Sequence, residues 1–326
     1  MRVVFLGTPE FAVPSLRALA ERFTVLGVVT RPDRPAGRGR LPRPPPVKQT
    51  ALDLGLPILQ PEKIRSPEAL AALAAWAPDV IIVAAFGQIL PASLLRAVPH
   101  GCLNVHASLL PRWRGASPIQ AALLHGDVET GVTIMKMDEG VDTGPILAQR
   151  SVAIRADSNT ETLTAELAAA GARLLLETLP RHAAGKLSPL PQDDRQATLA
   201  PRLRASDAAL DPSVPASILV RQVRAFSPKP AARLRWGQET LRVLAARALP
   251  GDAGPPGTVV LVRGEPAMAT GDGLLALDQV QVPGGKAVSG KAFLAGHRTF
   301  DKAILTEGRN EEKGEKPPPD SPPPSA

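Results

Sequence analysis

The sequence is poor in cysteine and in aromatic residues, with Cys102 as its single cysteine and no tyrosine. One thiol cannot form an internal disulfide, and no paired Cys/His spacing typical of a structural zinc site occurs. The sequence also lacks a run of about 18 apolar residues, which a membrane-spanning helix would need. Its first residues show no small-residue cleavage signal. These absences favour a cytoplasmic protein with no metal and no membrane anchor.

The overall composition is that of a globular protein, with 44% hydrophobic and 21% charged residues. A length of 326 residues favours two domains. The formal net charge of +7 favours an anionic partner, although an arginine-rich composition inherited from a GC-rich genome would give the same charge. Composition therefore leaves the partner open.

Short β-branched apolar runs alternate with helical segments over the first half of the chain. The strand candidates cover residues 2–6, 24–29, 79–85, 101–106 and 131–137. Such alternation predicts an α/β domain with a Rossmann-like, mostly parallel sheet that helices cover.

Several helices have recognisable starts. Ser66 and Ser117 each precede a proline, so each hydroxyl is expected to cap a helix that has proline at its first position. A longer helix is predicted from about Thr160 to Ala184, with Ser158 and Glu161 as a capping box.

The pattern changes near residue 187, where proline and acidic residues replace the helical period. Short alternating segments separated by glycine and proline follow, which is typical of a small antiparallel β-domain or barrel. We therefore predict a catalytic domain over residues 1–186, a linker over 187–203 and a mainly β domain over 204–307. Residues 308–326 are rich in proline and charge and are predicted to be a disordered tail.

Three polar residues form the strongest candidate site. Asn104 and His106 alternate on one predicted strand, so their side chains should project from the same face near its end. Asp142 follows the next strand candidate and could reach the same crevice. An amide donor, an imidazole and a carboxylate suit acyl transfer through a tetrahedral intermediate. A histidine with a purely structural hydrogen bond is the competing interpretation of His106.

The segment NVHASLLPRWRGASPIQ, followed by TGVTIMKMDEGVDTGPIL, resembles the core signature of the folate-dependent formyltransferases. The marks of that signature are Asn-x-His, Ser-Leu-Leu-Pro and a downstream Asp. The similarity extends over MRVVFLGTPEFAVPSL, RPDRPAGRGR, PPPVKQTALDLGLPILQP and PDVIIVAAFGQILP. The resemblance implies that Asn104, His106 and Asp142 are the catalytic residues.

The same resemblance implies a formyl donor and an acceptor. The donor would be 10-formyltetrahydrofolate, and the acceptor would be the free amino group of initiator methionyl-tRNA, formylated for translation initiation. The second domain would be an OB-like barrel that holds the tRNA. The family's folate pocket corresponds here to Phe86, Gly87, Gln88, Leu90, Ser108, Leu109, Leu110, Pro111 and Val141.

A basic stretch between Arg31 and Lys48 is the strongest candidate for an RNA contact in the first domain. It contains six basic residues against one acid, Asp33, and is rich in glycine and proline. We predict a mobile loop whose Arg34, Arg38, Arg40 and Arg43 contact the tRNA. A solvated surface loop without a ligand is the alternative.

Two other functions remain open on the sequence. A formyltransferase that acts on a small amine would share the three catalytic residues, but the glycinamide type would lack the basic loop and the second domain. A nonenzymatic RNA-binding protein on the same scaffold would keep the basic surface and would not need Asn104, His106 and Asp142. We expect the chain to be a monomer.

Overall fold

The computed structural model describes residues 1–36 and 41–308. The described residues up to Leu203 form one compact unit, and those from Arg204 onward form a second. The strands of the first unit are β1 (Arg2–Gly7), β2 (Thr24–Val29), β3 (Arg34–Ala36), β4 (Leu41–Arg43), β5 (Ile58–Leu59), β6 (Val80–Ala84), β7 (Cys102–His106), β8 (Arg114–Gly115), β9 (Glu129–Lys136), β10 (Ile146–Ala153) and β11 (Leu199–Ala200). Its helices are α1 (Val13–Arg22), α2 (Pro46–Asp53), α3 (Pro67–Trp76), α4 (Ala92–Ala97), α5 (Pro118–His125) and α6 (Thr160–Ala183).

The main sheet of the first unit has the order β10-β9-β7-β6-β1-β2-β5. Strands β7, β6, β1, β2 and β5 are mutually parallel, while β9 runs antiparallel to both of its neighbours. This confirms the mostly parallel α/β sheet expected from the sequence. The loops that follow β1, β6 and β7 therefore meet at one edge, where open α/β sheets bind their ligands.

Helices cover both faces of this sheet, because alternate strand residues are apolar on both sides. On one face, Val4 and Ile81 pack with Leu73 of α3 and Leu94 of α4 in a single apolar cluster. On the other face lies α6, where a Cβ atom at Gly171 would come within 2.8 Å of Val105. The absence of a side chain at Gly171 thus lets α6 approach β7 closely.

The structure confirms only some of the helix N-caps that the sequence predicts. Ser66 caps α3, since its hydroxyl accepts a hydrogen bond from the Ala69 amide at 3.2 Å. The expected cap at Ser117 is wrong, because α5 has no side-chain cap hydrogen bond and this hydroxyl instead accepts one from the Leu203 amide at 3.3 Å. The capping box of α6 lies one residue later than expected and is formed by Asn159 and Thr162.

The segment after α6 is hydrogen-bonded to the first unit. Leu190 exchanges two backbone hydrogen bonds of 2.8 Å with Ile146, and β11 pairs in parallel with β8. A glycine is required in this pairing, since Gly115 has φ +120° and a Cβ atom there would lie 2.7 Å from the Ala200 carbonyl oxygen. Residues of the predicted linker are thus hydrogen-bonded to β10 and β8 of the first unit.

The second unit is mainly antiparallel β-structure. Its strands are β12 (Ala232–Trp236), β13 (Glu239–Leu249), β14 (Val259–Val262), β15 (Glu265–Ala269), β16 (Leu274–Gln281), β17 (Val288–Ser289) and β18 (Leu305–Glu307), and its helices are α7 (Ala216–Phe226) and α8 (Gly290–Gly296). The sheet order is β14-β15-β16-β13-β12-β18, with β17 paired to β16. The two ends of this order meet, because Val259 donates to the Ala303 carbonyl and Leu305 donates to the Gly257 carbonyl, both at 2.8 Å. The sheet therefore closes into a barrel.

Candidate active site

The three candidate residues converge at the carboxyl edge of the sheet. Asn104 and His106 lie on β7 between β6 and β9, and they are only 9% and 5% exposed. Because they share a face of β7 with Cys102 and alternate with Leu103 and Val105, both side chains project from the face that α3 and α4 cover. The β9–β10 loop brings Asp142 to the same point, where its carboxylate meets both side chains.

Asp142 is the centre of a small hydrogen-bond network. Its Oδ1 accepts from the Asn104 amide nitrogen at 3.2 Å, and its Oδ2 accepts from the Gly115 amide at 2.9 Å. The same Oδ2 lies 3.5 Å from Nδ1 of His106. The backbone of Asp142 has φ +54°, in the left-handed region that non-glycine residues rarely occupy. Such conformations persist where the surroundings fix them, and they often occur at active sites.

The orientation of the imidazole of His106 follows from its second nitrogen. Nε2 lies 3.0 Å from the main-chain oxygen of Trp113. A carbonyl oxygen can only accept a hydrogen bond, so we assign the proton of the neutral ring to Nε2. Nδ1, which faces Asp142, is then the nitrogen that can take up a second proton.

A cavity of about 670 Å³ opens beside these residues. The catalytic candidates contribute to its wall together with Phe86, Gly87, Gln88, Leu90, Met135, Met137 and Val141. The volume and the largely apolar wall, with a few polar groups at one place, are typical of a small-molecule site.

The five expected folate residues outside the Ser108–Pro111 segment thus line this cavity. Gln88 turns its side chain away from it, because Oε1 accepts a hydrogen bond from the Ile64 amide at 2.8 Å. Gly87 has φ +74°, and its carbonyl oxygen accepts a hydrogen bond from the Arg31 guanidinium.

The structure does not bring Ser108, Leu109, Leu110 or Pro111 to the cavity wall. Ser108 is buried, and its hydroxyl donates to the Arg112 carbonyl at 2.6 Å. Leu110 is also buried, and its amide donates to the Thr133 hydroxyl at 3.1 Å. These residues shape the turn that leaves β7, and their assignment as folate contacts stays a prediction.

The basic stretch of the first unit forms a hairpin of β3 and β4, in which Arg34 pairs with Arg43. Both arginines are exposed. Arg38 and Arg40, expected to contact tRNA, lie outside the described residues. The predicted loop ends earlier than expected, because Lys48 belongs to α2 and its ammonium group contacts Asp33 at 2.7 Å.

Asp33 fixes the base of this hairpin. Its Oδ1 accepts from the amide of Gln60 at 2.9 Å, and the same amide donates to the Arg31 carbonyl at 2.8 Å. The hydrogen bond from Gln60, followed by that from Lys48, lowers the pKa of the Asp33 carboxyl. The carboxylate thus stays charged and anchors the strand that leads to Arg34.

Sequence reasoning missed the backbone groups of the site. The Gly115 amide and the Trp113 carbonyl hold Asp142 and His106, but hydrogen bonds from the main chain leave no trace in residue type. The ring of Trp113 packs 4.5 Å from that of His125. The side chains of Arg114 and Gln192 were also missed.

Two absences concern the residues that the structure describes. Among them, no group of three or more His, Cys, Asp or Glu side chains could hold a metal ion. No helix of residues 1–36 and 41–308 is long and apolar enough to cross a membrane.

An amide, an imidazole and a carboxylate at the carboxyl edge of an α/β sheet suit acyl-group transfer, in which the acceptor supplies the nucleophile. Two family models match the chain, "Formyl transferase" over residues 1–179 and "Formyl transferase, C-terminal domain" over residues 202–298. The chain belongs to the formyl transferase family and is a transferase.

Relatives match nearly the whole chain. It is 48% identical to the "Methionyl-tRNA formyltransferase" of Myxococcus xanthus over 299 residues, which are 91% of this chain and 95% of that protein. It is 50% identical to the protein of the same name from Synechococcus sp. (strain JA-3-3Ab) over 300 residues, 89% of this chain and 93% of the relative. Among solved structures, HypX from Aquifex aeolicus in complex with tetrahydrofolic acid has a TM-score of 0.60 at 18% identity. That match covers 90% of this chain and 47% of HypX, so the chain spans about half of that protein.

Proposed function

We propose that this chain transfers the formyl group of 10-formyltetrahydrofolate to the α-amino group of initiator methionyl-tRNA, giving N-formylmethionyl-tRNA. The observation that carries the reaction type is the convergence of Asn104 and His106 on Asp142 beside the cavity. The names of the relatives at 48% and 50% identity support this acceptor over a small amine.

The cavity suits the donor. A flat pterin needs apolar walls and hydrogen-bonding groups at its edge, and Phe86, Leu90 and Met137 supply the walls. The backbone of Gly87 and the loop around Val141 supply the polar groups. The formyl group would then lie beside the three catalytic residues.

In the reaction, the acceptor nitrogen attacks the formyl carbon and a tetrahedral oxyanion forms. A new C–N bond replaces the bond between the formyl carbon and N10 of the folate. The acceptor loses a proton, N10 gains one, and tetrahydrofolate leaves. Stabilisation of the oxyanion by groups already in position lowers the barrier of such reactions.

Each of the three side chains has a role in that step. Asn104 uses one amide N–H for Asp142, and its second N–H remains for the oxyanion. His106 donates its Nε2 proton to the Trp113 carbonyl, so Nδ1 is the ring nitrogen that remains for proton exchange during the transfer. Asp142 faces that nitrogen at 3.5 Å and keeps the ring oriented toward the cavity.

We assign tRNA binding to the exposed Arg34 and Arg43, together with Arg38 and Arg40 of the same basic stretch, and to the second unit. Residues 202–305 hold fourteen Lys or Arg and eight Asp or Glu, so this region has an excess of positive charge. Phosphate contacts would hold the acceptor end near the cavity.

We also propose that the protein is a cytoplasmic monomer with the domain limits stated above. Its single cysteine, Cys102, is buried, which fits a reducing compartment. Light scattering of the purified chain tests the oligomeric state, and cell fractionation tests the compartment.

The test of the activity is transfer of labelled formyl from 10-formyltetrahydrofolate, with initiator methionyl-tRNA, glycinamide ribonucleotide and an amino-sugar nucleotide as separate acceptors. Label on the tRNA alone is the expected result. Label on a small acceptor alone would refute the acceptor and keep the reaction type. tRNA binding without transfer to any acceptor would point to a nonenzymatic RNA-binding protein.

A further inference from the structure

One side chain supports the loop of Asp142 from outside the cavity. The amide nitrogen of Gln192 donates to the carbonyl oxygen of Asp142 at 2.8 Å and to that of Gly144 at 2.7 Å. Gln192 thus uses both of its amide N–H groups on the β9–β10 loop, on either side of Thr143. A bridge of this kind fixes the direction of two neighbouring carbonyl groups.

The side chain of Gln192 is itself held in place. Its Oε1 accepts a hydrogen bond from Nε of Arg114 at 2.9 Å. The Arg114 side chain is 8% exposed, and its Nη2 contacts Asp194 at 2.9 Å. The Gln192 amide cannot rotate without losing its charge-assisted hydrogen bond to the buried Arg114 guanidinium.

Arg114 and Gly115 both hold Asp142, one through its carbonyl and the other through its carboxylate. The Gly115 amide donates to the Asp142 carboxylate, while Arg114 acts on the Asp142 carbonyl through Gln192. Strand β8 is in turn fixed by its pairing with β11. Both ends of Asp142 are therefore tied to the same two-residue strand, and this explains how its left-handed backbone persists.

We propose that Gln192, held by Arg114, is a positioning residue of formyl transfer that keeps the Asp142 carboxylate against His106 Nδ1. Gln192 touches no reacting atom, and its effect passes through the backbone of Asp142. The inference rests on the proposed function for its kinetic test, but its structural test is independent of activity. It makes a segment that follows the family's N-terminal match part of the catalytic apparatus.

The variant Gln192→Glu tests whether Gln192 positions Asp142 or only holds its own segment against Arg114. The variant keeps an oxygen for Arg114, but a carboxylate cannot donate to the carbonyls of Asp142 and Gly144. If Gln192 only fastens its segment to Arg114, Gln192→Glu keeps the wild-type single-turnover rate. If it positions Asp142, the rate falls about tenfold to 100-fold, as small displacements of catalytic groups do.

Three further measurements complete the test. The KM values for folate and tRNA should stay within about threefold, because the cavity and the basic hairpin are unchanged. Gln196→Ala, an exposed glutamine of the same segment, is the matched control and should keep the full rate. A crystal structure of Gln192→Glu should show the distance from Asp142 Oδ2 to the Gly115 amide lengthened from 2.9 Å.

The outcomes distinguish the two claims. A wild-type rate in Gln192→Glu, or an unchanged Asp142 position in its crystal structure, would overturn the positioning role. A wild-type enzyme that transfers no formyl group would overturn the proposed function, and the Asp142 position in the variant would still decide whether Gln192 holds the loop.

Discussion

Nε2 of His106 lies 3.0 Å from the main-chain oxygen of Trp113, while Nδ1 on the opposite side of the ring lies 3.5 Å from Asp142. The backbone carbonyl fixes the tautomer of the neutral ring, and the carboxylate faces the other ring nitrogen. The orientation of the ring is therefore fixed, with Nδ1 on the side of Asp142 and Nε2 on the side of Trp113.

Removal of this ring should stop catalysis and spare RNA binding. We expect His106→Ala to lower kcat by about 10²-fold to 10⁴-fold, the usual contribution of a positioned acid or base. The Kd for tRNA should not change, because the ring is 5% exposed and offers no surface to RNA. His182→Ala is the control, since that ring contacts the His100 carbonyl at 2.9 Å and does not line the cavity. Full turnover of His106→Ala would refute the site.

The oxyanion role of Asn104 predicts a separate loss. Asn104→Ala should lower kcat by about 10²-fold to 10³-fold, because the transition state loses one hydrogen-bond donor. The KM for the folate donor should change little if this contact forms only in the transition state. A rise in KM with an unchanged kcat would instead assign Asn104 to ground-state binding.

The basic hairpin predicts the opposite pattern. Arg34→Ala with Arg43→Ala, and separately Arg38→Ala with Arg40→Ala, should weaken tRNA binding and flatten its dependence on salt, because fewer counterions are released. Turnover at saturating tRNA should be retained. The charge-matched control is Arg173→Ala with Arg181→Ala, two exposed residues of α6. Equal weakening by the control would show that net charge alone is responsible.

Gly115→Ala should be destabilising and harmful to catalysis. A methyl group there would lie 2.7 Å from the Ala200 carbonyl oxygen, and φ +120° is outside the range of L-residues. The free energy of unfolding should fall by about 1–3 kcal/mol, and kcat should fall because the Gly115 amide holds Asp142. In Gly185→Ala a methyl group would meet nothing within 4 Å, so this control should lose less stability and no activity. Equal losses in the two variants would show that the close approach at Ala200 is unimportant.

Burial raises the pKa of the Cys102 thiol to about 12, against 9.0 for the free group. The thiol should therefore resist iodoacetamide at pH 8 in the folded protein and react after unfolding. Above pH 9 the unfolded chain releases this proton while the folded chain keeps it, so rising pH favours unfolding between about 9 and 12. Cys102→Ala should remove that part of the alkaline loss of stability. Alkylation of the native protein by mass spectrometry would contradict the burial.

Sequence patterns predicted the elements that depend on local periodicity. Strand β7 could be predicted because it is a short, largely apolar run in the alternation of strands and helices, and Asn104 and His106 follow from the alternation of side chains along it. The N-cap of α6 is Asn159 and not the expected Ser158, because serine and asparagine cap equally well and only the backbone conformation decides between them. The hydroxyl of Ser117 found its partner in Leu203, 86 residues away, which no local rule could anticipate.

The parts of the site that escaped prediction are those made by long-range contacts. Gln192 lies in a segment with the composition of a linker, and nothing in its neighbours indicates that it bridges two carbonyls of the Asp142 loop. The family signature includes Ser108 and Leu110 but does not reveal that Thr133 holds their turn by hydrogen bonds. A signature marks which residues matter and does not say whether they act on a ligand or on the backbone.

The closure of the β-barrel has a consequence for how the second unit is made. Its seam joins residues 257–259 to residues 303–305, so the last strand, β18, begins 101 residues after the unit begins at Arg204. During synthesis the barrel stays open, with the edges of β12 and β14 unpaired, until Leu305 has left the ribosome. Synthesis of β18, rather than the appearance of the first strands, therefore sets the moment at which this barrel can close.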